Sequence, residues 1–145
     1  MTTGSHDLIE NLGGELESPK LTKILHSLNL MDVQDDPPFR RYVGSKSKGL
    51  SLLFNDRYLL DVQFFVEPTR SYQACTLPLP YGLTRDISQK DVHILLGTPD
   101  EYDATFSKYL KDDGRVKLII EYAKSGLIRY ISTSAASGSN SSSIF

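Results

Sequence analysis

Between Ser88 and Pro99 the chain marks where one helix begins and where it has to stop. Ser88 stands three residues before Asp91, the spacing of a capping box. The serine hydroxyl accepts an N–H left unpaired in the first turn, and the aspartate reaches back to the serine N–H. Gly97 suits a positive-φ exit, and Pro99 forbids continuation. Val92, Leu95 and Leu96, at i, i+3 and i+4, are the expected buried face. A helix this short is marginal by itself and has to be carried by packing on other elements.

A second helix announces itself in the same way. Ser18-Pro19 places a cap before a proline at the first helical position. Leu21, Ile24, Leu25 and Leu28 then form one apolar stripe, and Asn29 can take the left-handed stop. Asp35-Asp36-Pro37-Pro38 reads as loop. After it come short strands: Phe39 to Val43, then Leu50 to Asn55 with Leu50, Leu52 and Phe54 on one buried face. Tyr58 to Val66 follows, with Leu60, Val62, Phe64 and Val66 inward. Ser71 to Leu79 reads as extended, with Pro78 and Pro80 confining its end to a sheet edge or loop. Beyond the central helix, Thr105 to Leu110 and Val116 to Tyr122 flank the hairpin turn Lys111-Asp112-Asp113-Gly114, and Leu127 to Ser132 closes the sheet.

Set side by side, the halves repeat one order at a spacing of about 67 residues. Each is a capped helix, a proline-containing exit, F-x-x-Y (Phe39/Tyr42 and Phe106/Tyr109), a turn, a strand, a turn and a strand. The expected fold class is therefore α+β: two similar α-β-β-β halves making antiparallel sheet, with the helices packed on one face. The expected organisation is a leader over 1–17, one globular domain over 18–132 (pseudo-repeats 18–66 and 82–132 joined by 67–81), and a disordered tail over 133–145. The leader's Leu8, Ile9 and Leu12 fit either one surface helical turn or a frayed end. The tail is serine-rich, with too little apolar content to repay ordering.

Chemistry is sparse. A formal charge of −2 argues against a general nucleic-acid binder. A lone Cys75 cannot close an internal disulfide, and beside Leu77 it reads as a small buried hydrophobe. His6, His26 and His93 are far apart, with no cysteine or carboxylate at ligand spacing, so no metal or cofactor is expected. His26 and His93 hold matching places near the helix ends, a boundary position of each stripe. Gly44 to Gly49 (GSKSKG) has the residue types of a phosphate loop without its order, and reads as a hairpin turn. The N-terminus has no basic and apolar signal-peptide pattern and no apolar run is long enough to span a bilayer, which makes a cytoplasmic protein the expectation.

What remains is charge and aromatic rings at loops. Asp32, Asp35 and Asp36 follow the first helix, and Asp100, Glu101 and Asp103 follow the second. The candidate partner-binding set is Tyr81, Asp100, Glu101, Tyr102 and Asp103, expected on one face flanking the central helix. Acidic groups there would speed encounter with a basic partner, and amphipathic rings would anchor it.

The stretch Leu77 to Asp100, with its L-P-x-G-L turn, S-x-x-D-V helix and L-L-G-x-P-D exit, resembles the small repeat of the outer-membrane assembly lipoproteins BamE/SmpA. There a short helix ending in L-G-x-P precedes a β-meander. The likeness covers roughly Gly82 to Ser132 and implies the fold of that half; the signal sequence and lipobox cysteine of those lipoproteins are not seen here. The span Pro19 to Ser132 resembles small cytoplasmic bacterial proteins found among the immunity proteins of secreted polymorphic toxins. That resemblance implies a non-enzymatic inhibitor that covers a cognate toxin domain's active site, with no nucleic-acid or membrane partner. The alternative is a structural or adaptor subunit that self-associates, as a homodimer or more, through Val/Ile-rich sheet edges.

Overall fold

The computed structural model describes residues 4–136. Its elements are α1 (Ser5–Glu10), α2 (Pro19–Ser27), β1 (Asp32–Asp36), β2 (Arg40–Ser45), β3 (Leu50–Asn55), β4 (Tyr58–Phe65), α3 (Gln89–Leu96), β5 (Glu101–Asp103), β6 (Phe106–Lys111), β7 (Val116–Tyr122) and β8 (Ile128–Ala135). The strands form one eight-stranded sheet in the order β1-β2-β3-β4-β8-β7-β6-β5. Every neighbouring pair is antiparallel, and the fold is α+β.

The helix signals act as their chemistry requires. Ser18 Oγ accepts from the Leu21 N–H at 3.3 Å, Pro19 opens α2, and Asn29 takes φ +55° after it. Ser88 Oγ accepts from the Asp91 N–H at 3.3 Å while Asp91 accepts from the Ser88 N–H at 3.4 Å. Gly97 follows at φ +90°. The hairpin turn at Asp112, Asp113 and Gly114 has positive φ at all three residues.

One apolar cluster joins Leu8 of α1, Leu21 and Ile24 of α2 and Val92 of α3 to Leu52, Val62, Phe64, Leu118, Ile120 and Ile131 of the sheet. Removing one such side chain from water contributes roughly 1.5–3 kcal/mol. The alternation of Val116, Leu118, Ile120 and Tyr122 holds, all four being buried.

Several expectations fail, each for a local reason. Residues 4–17 are not a leader. Leu8 is fully buried, and Gly13 and Gly14 exchange backbone hydrogen bonds with Leu59, so the globular unit begins before Ser18. At the other end β8 carries Thr133 to Ala135, with Thr133 fully buried. That part of the expected tail is strand; 137–145 lie outside the described residues. The acidic segments after each helix are strands rather than loops, β1 pairing with β2 and β5 with β6. Both are entirely exposed sheet edges, so they carry no burial pattern from which a strand is read. Residues 71–79 form no strand, although the Cys75 N–H reaches the Phe65 carbonyl at 2.7 Å. In β4 the pairing jumps from Leu53↔Asp61 to Phe54↔Leu59, leaving Leu60 as the extra residue of a bulge. Leu59, not Leu60, is therefore buried. Strand β3 is buried on both faces, since Ser51 and Leu53 are covered as well.

Candidate interaction surface

Helix α3 meets the sheet through its polar residues. Gln89 Nε2 donates to the carbonyls of Asp103 (2.7 Å) and Phe106 (3.2 Å) and to Ser107 Oγ (3.2 Å). One turn on, His93 Nε2 lies 2.8 Å from the same Ser107 Oγ, which also bonds the Tyr122 hydroxyl at 2.8 Å. Ser107 is fully buried, so these partners satisfy a hydroxyl that would otherwise be costly. At the helix end the Tyr109 hydroxyl donates to the Gly97 carbonyl at 2.8 Å. The sheet-facing stripe is thus Gln89, Val92, His93 and Leu96, at i, i+3, i+4 and i+7.

Of the expected buried face, Val92 and Leu96 hold and Leu95 does not. Leu95 is 51% exposed and its neighbour Ile94 is 74% exposed. Beside them Tyr102 of β5 is 56% exposed and meets the His93 ring edge-on, with centroids 4.9 Å apart. To the predicted Tyr102 the structure adds Ile94 and Leu95, exposed apolar residues that reading the sequence missed. The signal was present in the two polar residues of the stripe.

The carboxylates of 100–103 are exposed, but not all are free. Asp100 Oδ2 accepts from the Leu110 N–H at 2.9 Å. Asp103 Oδ1 accepts from the Thr105 N–H at 2.7 Å and its hydroxyl at 2.6 Å, which holds the Asp103 carboxyl below its usual range. Glu101 makes a loose pair with Lys108 at 3.6 Å. Asp100 and Asp103 therefore help build the edge, while Glu101 and Tyr102 present themselves outward.

Tyr81 is placed elsewhere. It takes φ +58° within a one-turn 3-10 helix, and its hydroxyl reaches Asp112 Oδ2 in the β6–β7 turn at 3.3 Å. Burial, together with the Asp112 carboxylate, pushes its phenol up to about 12. Lys111 Nζ stands 5.5 Å from the ring centre. Three of the five predicted residues thus make up β5 and Asp100 immediately precedes it, while Tyr81 fastens the loop to the next hairpin.

Cys75 is buried, its thiol pushed up by desolvation, and it lines a recess of about 920 Å³ formed by 73–85 and Ser47. Arg85 there is engaged with the Cys75 carbonyl at 2.8 Å, and no base faces the thiol among the lining residues. Among the described residues no group of three His, Cys, Asp or Glu is placed to hold a metal ion, and no helix is long and apolar enough to cross a membrane.

No protein-family model matches the chain, and no curated protein matches it. Among solved structures it is similar to the crystal structure of a DUF4309 family protein (YjgB) from Bacillus subtilis, at 14% identity and a TM-score of 0.47. The match covers 89% of this chain and 96% of that one.

Proposed function

We propose that the chain is a non-enzymatic binding protein of the immunity type, which neutralises a toxin domain in the bacterial cytoplasm by covering its active site with the α3–β5 surface. The observation that carries this reading is the exposure of Ile94, Leu95 and Tyr102 on the α3 side, bordered by the exposed edge residues Glu101 and Asp103 of β5. An apolar centre with an aromatic anchor and a charged border is the anatomy of a protein–protein interface. Charge on the border would steer a basic partner.

The same proposal treats the fold as two similar halves with their helices on one face. Strand order supports it: β1-β2-β3-β4 is mirrored as β5-β6-β7-β8 across the central β4–β8 pair. The paired row Val43, Leu52, Val62, Thr133, Leu118 and Tyr109 keeps one side of the sheet from half to half, the side of the apolar cluster. The adaptor alternative rested on Val/Ile-rich sheet edges. The edges are instead Asp-Val-Gln-Asp-Asp and Glu-Tyr-Asp, charged strands of the kind that resist edge-to-edge pairing.

The test is a pull-down from the native organism with the tagged chain, run beside the double variant Ile94→Asp, Tyr102→Ala and read by mass spectrometry. A single stoichiometric partner that carries a toxin-like domain, weakened at least about thirtyfold by the double variant, is expected for two interface anchors. A partner held equally by the variant would remove this surface from consideration. Recovery of the chain itself, or of a multi-subunit complex, would favour the adaptor.

A further inference from the structure

The side of β2–β4 turned away from the apolar cluster holds a hollow that the partner surface does not use. Its floor is Gly44 and Ser51, paired directly across β2 and β3. Gly44 leaves no side chain there, and none is tolerated: a Cβ would run into the Leu50 carbonyl and stand 2.8 Å from Ser51 Cα. Around the floor stand Gln34, Asp35, Asp36, Tyr42, Gln63, Phe65 and Tyr72, about a space of some 460 Å³. A second recess of about 380 Å³ adjoins it, sharing Tyr42, Gln63 and Phe65 and adding Tyr130. Both fall inside the roughly 300–1,000 Å³ typical of small-molecule sites.

Ser51 supplies the independent sign of a ligand. It is 1% exposed, and its hydroxyl is a buried side-chain polar atom without a hydrogen-bond partner among the described residues. Such an atom is costly unless something else satisfies it. It lines the hollow at its floor. Tyr72 is the rim member carried by a loop instead of a strand, stacked on Phe65 at 4.2 Å. Under the twofold relation proposed above, the same place in the second half holds the pair Leu110 and Lys117. Long side chains occupy there what glycine and serine leave open here.

The lining decides what class of molecule fits. Its one guanidinium, Arg129, is already engaged with Glu121 at 2.8 Å, and the neighbouring Arg41 is held by the lining's Asp35 at 2.6 Å. No unspent positive charge is left in the lining for a phosphate or carboxylate. What is offered is aromatic surface, the planar amides of Gln34 and Gln63, the Ser51 hydroxyl and the carboxylates of Asp36 and Glu67, those of Asp35 and Glu121 being paired with arginines. A sugar ring presents the complement: a face of C–H bonds for the rings and a fringe of hydroxyls, each donor and acceptor, for the polar groups.

We propose that this hollow binds a neutral carbohydrate, with one ring held against the Tyr42, Phe65 and Tyr72 side chains and its hydroxyls bonded to Gln34, Gln63 and Ser51. The site lies in the half of the sheet opposite β5, so this inference stands or falls apart from the partner surface.

The experiment is a titration of the full chain, followed by amide NMR, with glucose, galactose, N-acetylglucosamine, cellobiose and maltose. Choline and inorganic phosphate are run in parallel. Saturable shifts at Ser51, Gln63 and Tyr72 with at least one sugar are expected, with Kd on the order of 1 mM. Tyr72→Ala should weaken binding by about tenfold or more. Ser51→Ala should weaken it about threefold while raising the melting temperature, because it removes an unsatisfied buried hydroxyl. Ile94→Asp should leave it unchanged. Absence of sugar-dependent shifts, saturation by choline or phosphate alone, or sugar binding indifferent to both Tyr72→Ala and Ser51→Ala would each overturn the assignment.

Discussion

Asp61 lies on the same side of the sheet as the hollow, its carboxylate accepting from Ser132 Oγ at 2.8 Å and from Gln63 Nε2 at 3.2 Å. Burial raises its pKa above the ordinary 3.8, and the hydrogen bonds offset that only in part. The folded chain thus holds this proton at pH values where the unfolded chain has lost it. Its contribution to stability is fully present below pH 3.8 and is lost as pH rises through the folded pKa. Asp61→Asn should therefore raise the melting temperature at pH 7 by a few degrees, and the gain should shrink toward pH 3.5. Thermal scans at the two pH values check it; an equal gain at both would leave protonation out of the account. His93 teaches the converse lesson about reading sequence. Its offset to His26 suggested a boundary position, yet His26 is exposed while His93 turns to the sheet, and its hydrogen bond to Ser107 was not legible because a buried serine in β6 looks like any alternating polar residue.

Helix α3 shows how far a short segment specifies itself. Its start, stop and length were readable because cap and exit chemistry are local, carried by Ser88, Asp91 and Gly97. Its rotation was not, because that depended on Gln89 and His93 finding partners in β5–β6, residues distant in sequence. Leu95 stands half outside as a result, so truncating it leaves no core cavity. Ser88→Ala should cost about 1 kcal/mol through loss of the cap. Gly97→Ala, forced to φ +90°, should cost on the order of 1–3 kcal/mol. Urea unfolding monitored by circular dichroism measures both, and a neutral Gly97→Ala would show that the helix can end otherwise. Strands β1 and β5 were illegible for the opposite reason. Their side chains are all exposed, and only pairing with β2 and β6 makes them strands.

At the scale of the molecule the two four-stranded ladders meet only where β4 pairs with β8, from Asp61↔Ser134 to Phe65↔Tyr130. Thr133 is fully buried at that seam, its hydroxyl donating to the Val62 carbonyl at 3.4 Å. The apolar cluster crosses it, so the halves share one core. Urea unfolding should therefore be a single transition, with far-ultraviolet dichroism and tyrosine fluorescence coinciding; two separated steps would mean the halves fold independently. The succession of caps, turns and most strands was legible in the sequence, whereas their joining into one sheet was not, since nothing local names β8 as the neighbour of β4. That neighbour arrives late. A ribosome delivers β1 to β4 first, then makes roughly sixty more residues, which at 5–20 residues per second leaves β4 waiting roughly 3–12 s. For that interval the nascent chain carries an open apolar strand edge without the acidic guard that β1 and β5 give the finished sheet. Chaperone capture and premature aggregation should concentrate in that window, and pauses placed between the codons for Phe65 and Ile128 should lower soluble yield without changing the folded product.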